Sequence, residues 1–363
     1  MKEWKKYKLG EILTVKYGKD HKKLDAGSIP VYGSGGLMRF VNSYICDSPS
    51  ILIPRKGSLN NVMYVEHPFW TVDTMFWTII DTTIAVPRFV YYAICKIDFE
   101  SLNVGSAVPS MTVPIIEDIE IFLPSLDEQI RIVKVLSSLE SKIELNRQIN
   151  DNLEQQASNL FQDWLNNCEN SIMLRELTDN VLDYTPNTHE HVYLLNSSDV
   201  TEGQFTVLPL TPNINLKGQF KKRFKKGDIL YSEIRPRNRH YAYCYFDADK
   251  YIASTRLIVL RAKPEKLTSS ILLYQYLMLN NVFEEFTLKT ESRSGTFPQG
   301  NYEDLSSIKV PYGASQEKIA KALESIYKQL WTNLEENERL EALRDSLLPK
   351  LMSGELKINE IDC

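Results

Sequence analysis

The sequence predicts an α+β protein with a pseudo-twofold internal repeat, in which two long antiparallel coiled-coil helices separate two mixed α/β globular domains. Three observations lead to this fold class. One helical segment of the 363-residue chain occurs twice, the two copies lying about half a chain length apart. Each copy has the heptad spacing of a coiled coil. The sequence before each copy is rich in Tyr, Phe, Val, Ile and Thr and is interrupted by Gly and Pro, which is typical of strands and turns.

The repeat becomes visible when Pro124 is set against Pro311 and both stretches are read on without a gap. Identical residues then recur far more often than chance pairing allows. The identical pairs are Gln129 and Gln316, Ile132 and Ile319, Lys134 and Lys321, Leu136 and Leu323, Ser138 and Ser325, Asn146 and Asn333, Asn150 and Asn337, Leu153 and Leu340, and Glu154 and Glu341. We therefore interpret the chain as two copies of one unit.

The repeated segments carry apolar residues at alternating steps of three and four, which predicts two long helices. The first series ends at Ala157, Leu160 and Trp164, and the second ends at Leu340, Arg344 and Leu347. Pro349 and Gly354 are expected to close the second helix.

Asparagines occupy seam positions in both series, and a seam Asn fixes register only if it is paired. An antiparallel pairing brings Asn146 level with Asn337 and Asn150 level with Asn333, so these four are the predicted helix-pairing residues. The alternative is that each Asn faces solvent on a curved helix.

These features divide the chain into four segments. Residues 1–125 and 169–312 are the two globular domains, 126–168 is the first long helix, and 313–363 is the second long helix with a C-terminal tail. Strands are expected at 50–54, 62–65, 70–80, 228–232, 241–246 and 257–261, and short helices at 88–96 and 270–280, the second continuing into 282–286.

Charge is unevenly distributed along the chain. The formal net charge of −5 argues weakly against nucleic-acid binding. Residues 217–239, however, hold nine Lys or Arg against only Asp228 and Glu233, and the first 23 residues are also basic. Such separation suits one basic binding face and one acidic protein-docking face, although ordinary solvated surfaces are the alternative.

The sequence contains no constellation typical of an enzyme. We find no P-loop, no GxGxxG loop and no Asn-Pro-Pro-aromatic tetrad, and the histidines form no helix-spaced pair. No catalytic residue, metal site or cofactor is therefore expected. The five widely spaced cysteines, the absence of a long apolar run and the absence of a signal sequence favour a reduced, cytoplasmic protein.

Basic and polar loops supply groups suited to nucleic acid, because Lys, Arg and small polar side chains bind phosphates, while Arg, Asn and Gln read base edges. The loop at 55–61 is expected to correspond to that at 235–239, and 105–112 to 292–301. The candidates in the first domain are Lys19, Lys22, Tyr32, Ser34, Arg55, Lys56, Asn60, Asn61, Ser106 and Ser110. Those in the second are Lys217, Lys221, Arg235, Arg237, Asn238, Arg239, Arg293, Thr296, Gln299 and Asn301. Ordinary polar surface loops are the alternative.

The whole chain resembles the specificity subunit of type I restriction-modification systems. The resemblance is carried by the repeat and by the strings at residues 4–12, 29–36, 123–130 and 347–356. Residues 213–220 contain no counterpart of the Gly-Ser-Gly-Gly turn at 33–36, and the second helix begins with Ala-Ser-Gln-Glu where the first has Asp-Glu-Gln.

The resemblance implies two target-recognition domains, each reading one half of a bipartite, asymmetric DNA site, with the helices setting the spacing. It also implies two methyltransferase (modification) subunits as partners, restriction (translocase and nuclease) subunits in the full complex, and no membrane. The subunit itself would be non-catalytic and confer specificity on an adenine methyltransferase and an endonuclease. The main alternative is a pseudo-dimeric protein-binding scaffold without DNA specificity, and a second is a fused methyltransferase or nuclease, which the missing motifs disfavour.

Overall fold

The structure is a computed structural model that describes residues 4–105, 108–263, 265–266, 269–292, 298–313 and 316–358. It divides into two compact units. Unit 1 comprises Met1–Glu144 and Asn337–Cys363, and unit 2 comprises Leu145–Glu336. Each unit therefore combines one globular segment with part of each long helix.

The globular part of unit 1 consists of short strands and helices, and the first long helix, α4, follows it. The elements are β1 (Lys5–Lys8), α1 (Leu9–Ile12), β2 (Leu13–Tyr17), β3 (Ile29–Gly33), β4 (Gly36–Val41), β5 (Ser50–Pro54), β6 (Met63–Val65), β7 (Trp70–Thr71), β8 (Met75–Ile80), α2 (Pro87–Ile94), α3 (Val113–Glu117), β9 (Glu120–Leu123) and α4 (Leu126–Leu165).

Unit 2 follows the same plan. Its elements, with the second long helix α9, are β10 (Asn170–Met173), α5 (Leu174–Leu177), β11 (Thr178–Asn180), β12 (His191–Leu195), β13 (Val200–Thr201), β14 (Gln204–Phe205), β15 (Leu210–Pro212), β16 (Phe220–Lys222), β17 (Ile229–Ser232), β18 (Tyr241–Tyr243), β19 (Tyr251–Ser254), β20 (Leu257–Ala262), α6 (Ser270–Met278), α7 (Asn280–Glu291), α8 (Tyr302–Ser306), β21 (Lys309–Tyr312) and α9 (Gln316–Met352).

The main sheets of the two units correspond, and among the described residues unit 2 has in addition the β13–β14 hairpin and the edge strand β16. The antiparallel pair β1–β9 corresponds to β10–β21, and the sheet β2-β8-β5-β6 corresponds to β11-β20-β17-β18. The sheet β4-β3-β7 corresponds to β15-β12-β19-β16, and each contains one parallel pair, β3 with β7 and β12 with β19. The globular parts therefore share one topology although their sequences have diverged.

The central strand of each unit separates two cores. In β5, Ile51 and Ile53 belong to the apolar cluster that also contains residues of α2, whereas Leu52 belongs to the cluster with Val31 and Phe69. In unit 2 the alternate residues of β17 divide between two clusters in the same way. Alternation follows from the two-residue period of a strand, and burial on both faces explains its nearly continuous apolar sequence.

The long helices pair antiparallel within each unit. In unit 1, Ile132 and Leu136 of α4 share a cluster with Leu348 and Leu351 of α9. In unit 2, Ala157 and Phe161 of α4 share a cluster with Ile319, Leu323 and Tyr327 of α9. Increasing residue numbers on one helix thus meet decreasing numbers on the other, and the α+β fold class is confirmed.

Some predicted details of the helices are wrong. The seam was expected at Leu160 and Leu347, but the structure buries the next residues, Phe161 and Leu348. Phe161 lies 5.6 Å from the ring of Tyr276 on α6, so packing on the globular part rotates the buried face of α4. Pro349 itself lies inside α9, which continues to Met352, and Gly354 with φ of 71° follows the end of the helix.

The expected strand at 70–80 is also interrupted. The structure contains β7 and β8, separated by a turn at residues 72–74 in which Met75 N donates to Val72 O at 3.0 Å. Its two parts belong to different sheets, so an apolar run alone could not reveal the break. The expected continuation of the helix at 270–280 into 282–286 is also wrong, because Leu279 has an extended backbone and separates α6 from α7.

Candidate nucleic-acid interface

In unit 1, three chain segments meet at the end of β5. Gly57 N donates to Pro109 O at 3.1 Å, and Met111 N donates to Arg55 O at 2.9 Å, on either side of a bridge between Lys56 and Ser110. Arg55 N also donates to Thr74 O at 2.8 Å. We call this meeting point, formed by residues 55–57, 74 and 109–111, junction 1.

Unit 2 repeats this hydrogen-bond pattern at the end of β17. Arg235 N donates to Pro298 O at 3.0 Å, Gly300 N donates to Glu233 O at 2.8 Å, and Ile234 bridges Gln299. Glu233 N donates to Arg256 O at 2.9 Å. Residues 233–235, 256 and 298–300 form junction 2.

The two junctions fix how the loops correspond. Gly57 takes the place of Arg235, and both have a left-handed backbone, with φ of 91° and 45°. Arg55 then takes the place of Glu233. A non-glycine residue with positive φ is uncommon and marks a position held by its surroundings. The loops at 55–61 and 235–239 therefore lie at equivalent places, as expected. Their charged residues do not align, because Arg235 is equivalent to Gly57 and not to Arg55.

The arginines of junction 2 differ in their surroundings. Arg237 forms a two-pronged ion pair with Glu291, with Nε–Oε1 at 2.7 Å and Nη2–Oε2 at 3.0 Å, and this contact raises the pKa of Arg237 and lowers the pKa of Glu291. Arg239 lies 4.3 Å above the ring of Phe283 and donates to Asn280 Oδ1 at 3.2 Å. Arg235 and Asn238 are exposed.

Glu233 of junction 2 is half-buried and interacts electrostatically with Lys222. Lys222 is buried, and its Nζ donates to Leu257 O at 2.6 Å. Burial lowers the pKa of Lys222 and raises the pKa of Glu233, while the opposite charge of each partly offsets this effect on the other. The neighbouring Lys217 and Lys221 remain exposed. The junction therefore has a rigid polar base and an exposed cationic rim.

Junction 1 is built differently. Arg55 donates to Asp73 O at 3.1 Å and lies 5.4 Å from the ring of Tyr17, whereas Lys56 is exposed. The turn at 33–36 lies alongside, since Asn61 Nδ2 donates to Ser34 O at 2.8 Å. A Cβ at Gly57 would come 2.9 Å from Ser34 Oγ, so this approach requires glycine.

The remaining candidates of unit 1 flank this junction. Lys19 N donates to Thr71 O at 2.8 Å, and Lys19 and Lys22 are exposed. Tyr32 OH lies 3.4 Å from His67 Nε2, and burial raises the pKa of Tyr32. Asn60 donates to Asp98 Oδ1 at 3.2 Å and accepts from Glu100 N, so it braces the neighbouring turn.

Two candidates of unit 2 take part in backbone architecture. Gln299 forms the bridge with Ile234, and Asn301 caps α8, with its side chain accepting from Asp304 N at 2.9 Å. Ser106, Arg293 and Thr296 lie outside the described residues. Thr74, Arg256 and Glu291 were not among the candidates. Only strand pairing and a contact between distant segments bring them to the junctions, so no local sequence signal could have found them.

The four seam asparagines of the long helices are buried and donate hydrogen bonds, three of them in unit 2 and one in unit 1. In unit 2, Asn333 Nδ2 donates to Asn150 Oδ1 at 2.8 Å, Asn150 Nδ2 donates to Leu330 O at 3.2 Å, and Asn146 Nδ2 donates to Glu336 Oε2 at 2.7 Å. In unit 1, Asn337 Nδ2 donates to Ile143 O at 3.4 Å. These amides lie on the buried face, not in solvent.

Comparison with known proteins identifies this arrangement. Residues 1–155 and 209–342 match the family described as the type I restriction modification DNA specificity domain. The chain belongs to this family. It carries two specificity domains, and the two matches cover both junctions and extend into the long helices.

Individual relatives agree with this assignment. The HindI type I restriction enzyme specificity subunit of Haemophilus influenzae is 35% identical over 163 residues, which is 44% of this chain and 35% of that relative. The EcoDI specificity subunit of Escherichia coli is 24% identical over 98% of this chain and 89% of its own length. The chain thus aligns with about a third of the first relative and most of the second.

A solved structure shows the same fold. The S subunit of a type I restriction-modification system from M. genitalium has a TM-score of 0.68 at 18% identity, covering 96% of both chains. Among the described residues of this specificity protein, no cluster of His, Cys, Asp or Glu suits a metal ion. Within the same residues no helix is long and apolar enough to cross a bilayer, and Cys46, Cys95, Cys168 and Cys244 are free thiols.

Proposed function

We propose that this chain is the DNA-specificity subunit of a type I restriction-modification complex, and that each specificity domain reads one half of a bipartite, asymmetric site. The observation that carries the proposal is the repeated junction. Two domains of one topology present loops at the same place, yet their side chains differ: Arg55, Lys56 and Gly57 stand where Glu233, Ile234 and Arg235 stand in the other. Equivalent scaffolds with different loops suit two readers of different sequences.

The candidate residues divide into two roles. Exposed cations around the junctions, such as Lys19, Lys56 and Lys221, are suited to phosphates, which position the protein without reading sequence. Asn61, Ser110, Asn238 and Gln299 carry groups able to bond with base edges. Arg237, tied to Glu291, contributes to DNA contact only if that ion pair opens.

The proposed partners are duplex DNA, two methyltransferase subunits and, in the full complex, restriction subunits. The chain itself would perform no chemistry and need no cofactor, and it would confer sequence choice on the methyltransferase. The helices would set the gap between half-sites, and the paired Asn150 and Asn333 would keep their register. Four free thiols suit the reducing interior of a cell.

A test at the level of the cell is a map of methylated adenines with and without the gene. We expect one asymmetric split motif to lose methylation completely in its absence, and an unchanged map would refute the proposal. Binding of the purified chain to duplex DNA should also weaken steeply with salt. A protein-binding scaffold would show neither effect.

A further inference from the structure

Exposed apolar side chains lie beside junction 1. Leu37 and Met38 are each 55% exposed, and they follow directly after the turn at 33–36. Phe40, further along β4, is 50% exposed. Single apolar residues at a surface are ordinary, but a group of them marks a contact surface.

The strand that carries these residues is held firmly. β4 pairs with β3, with Leu37 opposite Tyr32 and Arg39 opposite Val31, so Met38 occupies a bulge. A Cβ on Gly33 would come 2.7 Å from Met38 Sδ, and Arg39 Nη2 donates to Leu24 O at 2.6 Å. Because β7 pairs with the other side of β3, these apolar residues lie on the edge strand of a three-stranded sheet, which is tied to junction 1 by the bond from Asn61 to Ser34.

Unit 2 also exposes apolar residues near the corresponding edge strand, Leu210 at the start of β15 and Val207 in the connection before it. β15 is the edge strand antiparallel to β12, as β4 is to β3. Val207 is 100% exposed and Leu210 is 49% exposed. The connection leading to them reaches the loop that follows junction 2, since Glu202 N donates to Arg239 O at 2.9 Å. Apolar exposure beside the junction therefore occurs twice, without sequence similarity.

The charge around the two junctions favours DNA as the partner over a protein. Exposed Lys19, Lys22 and Lys56 lie on the segments that border β3, β7 and junction 1. In unit 2, exposed Lys217 and Lys221 lie before and within β16, beside junction 2, since Thr255 N donates to Gln219 O at 2.8 Å. β16 is the edge of that sheet opposite β15, so these lysines flank the junction and not Leu210 itself. The C5-methyl of thymine is the apolar group that the major groove of DNA displays.

We propose, building on the DNA-specificity function above, that the exposed apolar residues on and next to the two edge strands read thymine. Leu37 and Met38 contact thymine methyl groups in one half-site, and Val207 and Leu210 do so in the other. Burying the thymine methyl group against an apolar side chain removes it from water and so adds to the binding affinity. A base without this methyl group loses that contribution, which distinguishes thymine from it.

The test uses the full chain and compares thymine with deoxyuridine, which keeps the pairing edge and lacks the methyl. The bound sequence is first found by selection from random duplexes. Each thymine of each half-site is then replaced, and affinity is measured by fluorescence anisotropy. We expect an about fourfold loss at a contacted thymine.

Variants assign the effect to each domain and control for it. The double variant L37S/M38S should lose its response to uracil in one half-site and keep it in the other, and V207S/L210S should show the reverse. Each variant thus serves as the matched control for the other, and circular dichroism confirms that both remain folded.

Several outcomes would overturn the proposal. The first is that neither half-site contains an A·T pair, and the second is that DNA with uracil binds as tightly as DNA with thymine. The third is that the variants lose affinity on uracil substitution just as the parent does, whether or not they also lose binding to a methyltransferase subunit. A chain that selects no sequence would refute the specificity function itself, whereas selection without a uracil effect would refute only the reading of thymine.

Discussion

Removing Asn333 should destabilise unit 2 through the amide that it leaves behind. Asn333 is buried, donates to Asn150 Oδ1 and accepts from Gln329 Nε2, both at 2.8 Å. The substitution Asn333→Ala leaves Asn150 Oδ1 without this donor at a position only 7% exposed. An unsatisfied buried acceptor costs about 1–3 kcal/mol, so we expect the free energy of unfolding to fall by about that amount.

Replacing both partners should behave differently. In the double variant Asn150→Leu with Asn333→Leu no unsatisfied amide remains, and Leu at both seam positions buries more apolar surface. The double variant should therefore regain most or all of the stability that Asn333→Ala loses. Its register should become less specific, because leucine packs in more than one alignment.

Urea denaturation of the full chain measures these changes, and hydrogen exchange at residues 145–165 and 316–336 assigns them to unit 2. The matched control is Asn152→Ala, an exposed position on the same helix, where we expect a change within about 0.5 kcal/mol. Equal stability for Asn333→Ala and Asn152→Ala would refute the argument, as would a double variant less stable than the single one.

Further predictions concern the ion pair of Arg237 and Glu291, the half-buried Glu233 and the long helices. Glu291→Gln should release Arg237 and steepen the slope of log DNA affinity against log salt concentration by about 0.9. Adding Arg237→Ala should return the slope to its original value, and an unchanged slope in Glu291→Gln would place Arg237 away from DNA. Burial raises the pKa of Glu233 above 4.5, so the folded state loses stability as pH rises from 4.5 through the raised pKa. The melting temperature of Glu233→Gln relative to that of the parent should therefore increase as pH rises above 4.5, and a constant difference would contradict this. Inserting one heptad into both long helices at the boundary between the units should lengthen the preferred gap between the two half-sites by about 10.5 Å, or about three base pairs. The sequences of both half-sites should stay the same. A changed half-site with an unchanged gap would refute a spacing role for the helices.

The sequence was sufficient for the repeat, the helices and the approximate position of the loops, because each depends on local periodicity or on self-similarity. It was not sufficient for how residues correspond between the junctions. That Arg55 matches Glu233 follows from strand pairing with Thr74 and Arg256, which propensity does not determine. A local shift of buried face, from Leu160 to Phe161, likewise depends on a ring from another segment.

Charge counting overestimated the basic loop of the second domain. Residues 235–239 contribute three guanidinium groups in sequence, but Arg237 is matched by Glu291, which is 54 residues away in the chain. Arg239 packs on the ring of Phe283. Counting charges along the sequence therefore located the basic region but overestimated how many of its side chains are available to bind DNA.

The division of the chain has a consequence for its synthesis and inheritance. Unit 2 is one uninterrupted stretch, Leu145–Glu336, whereas unit 1 is completed only by Asn337–Cys363. On a ribosome, the second unit can finish folding while Ile132 and Leu136 of the first still await Leu348 and Leu351. A recombination event that exchanges the inner stretch would transplant one entire unit, with its own helix pair, and leave every internal contact of the other intact.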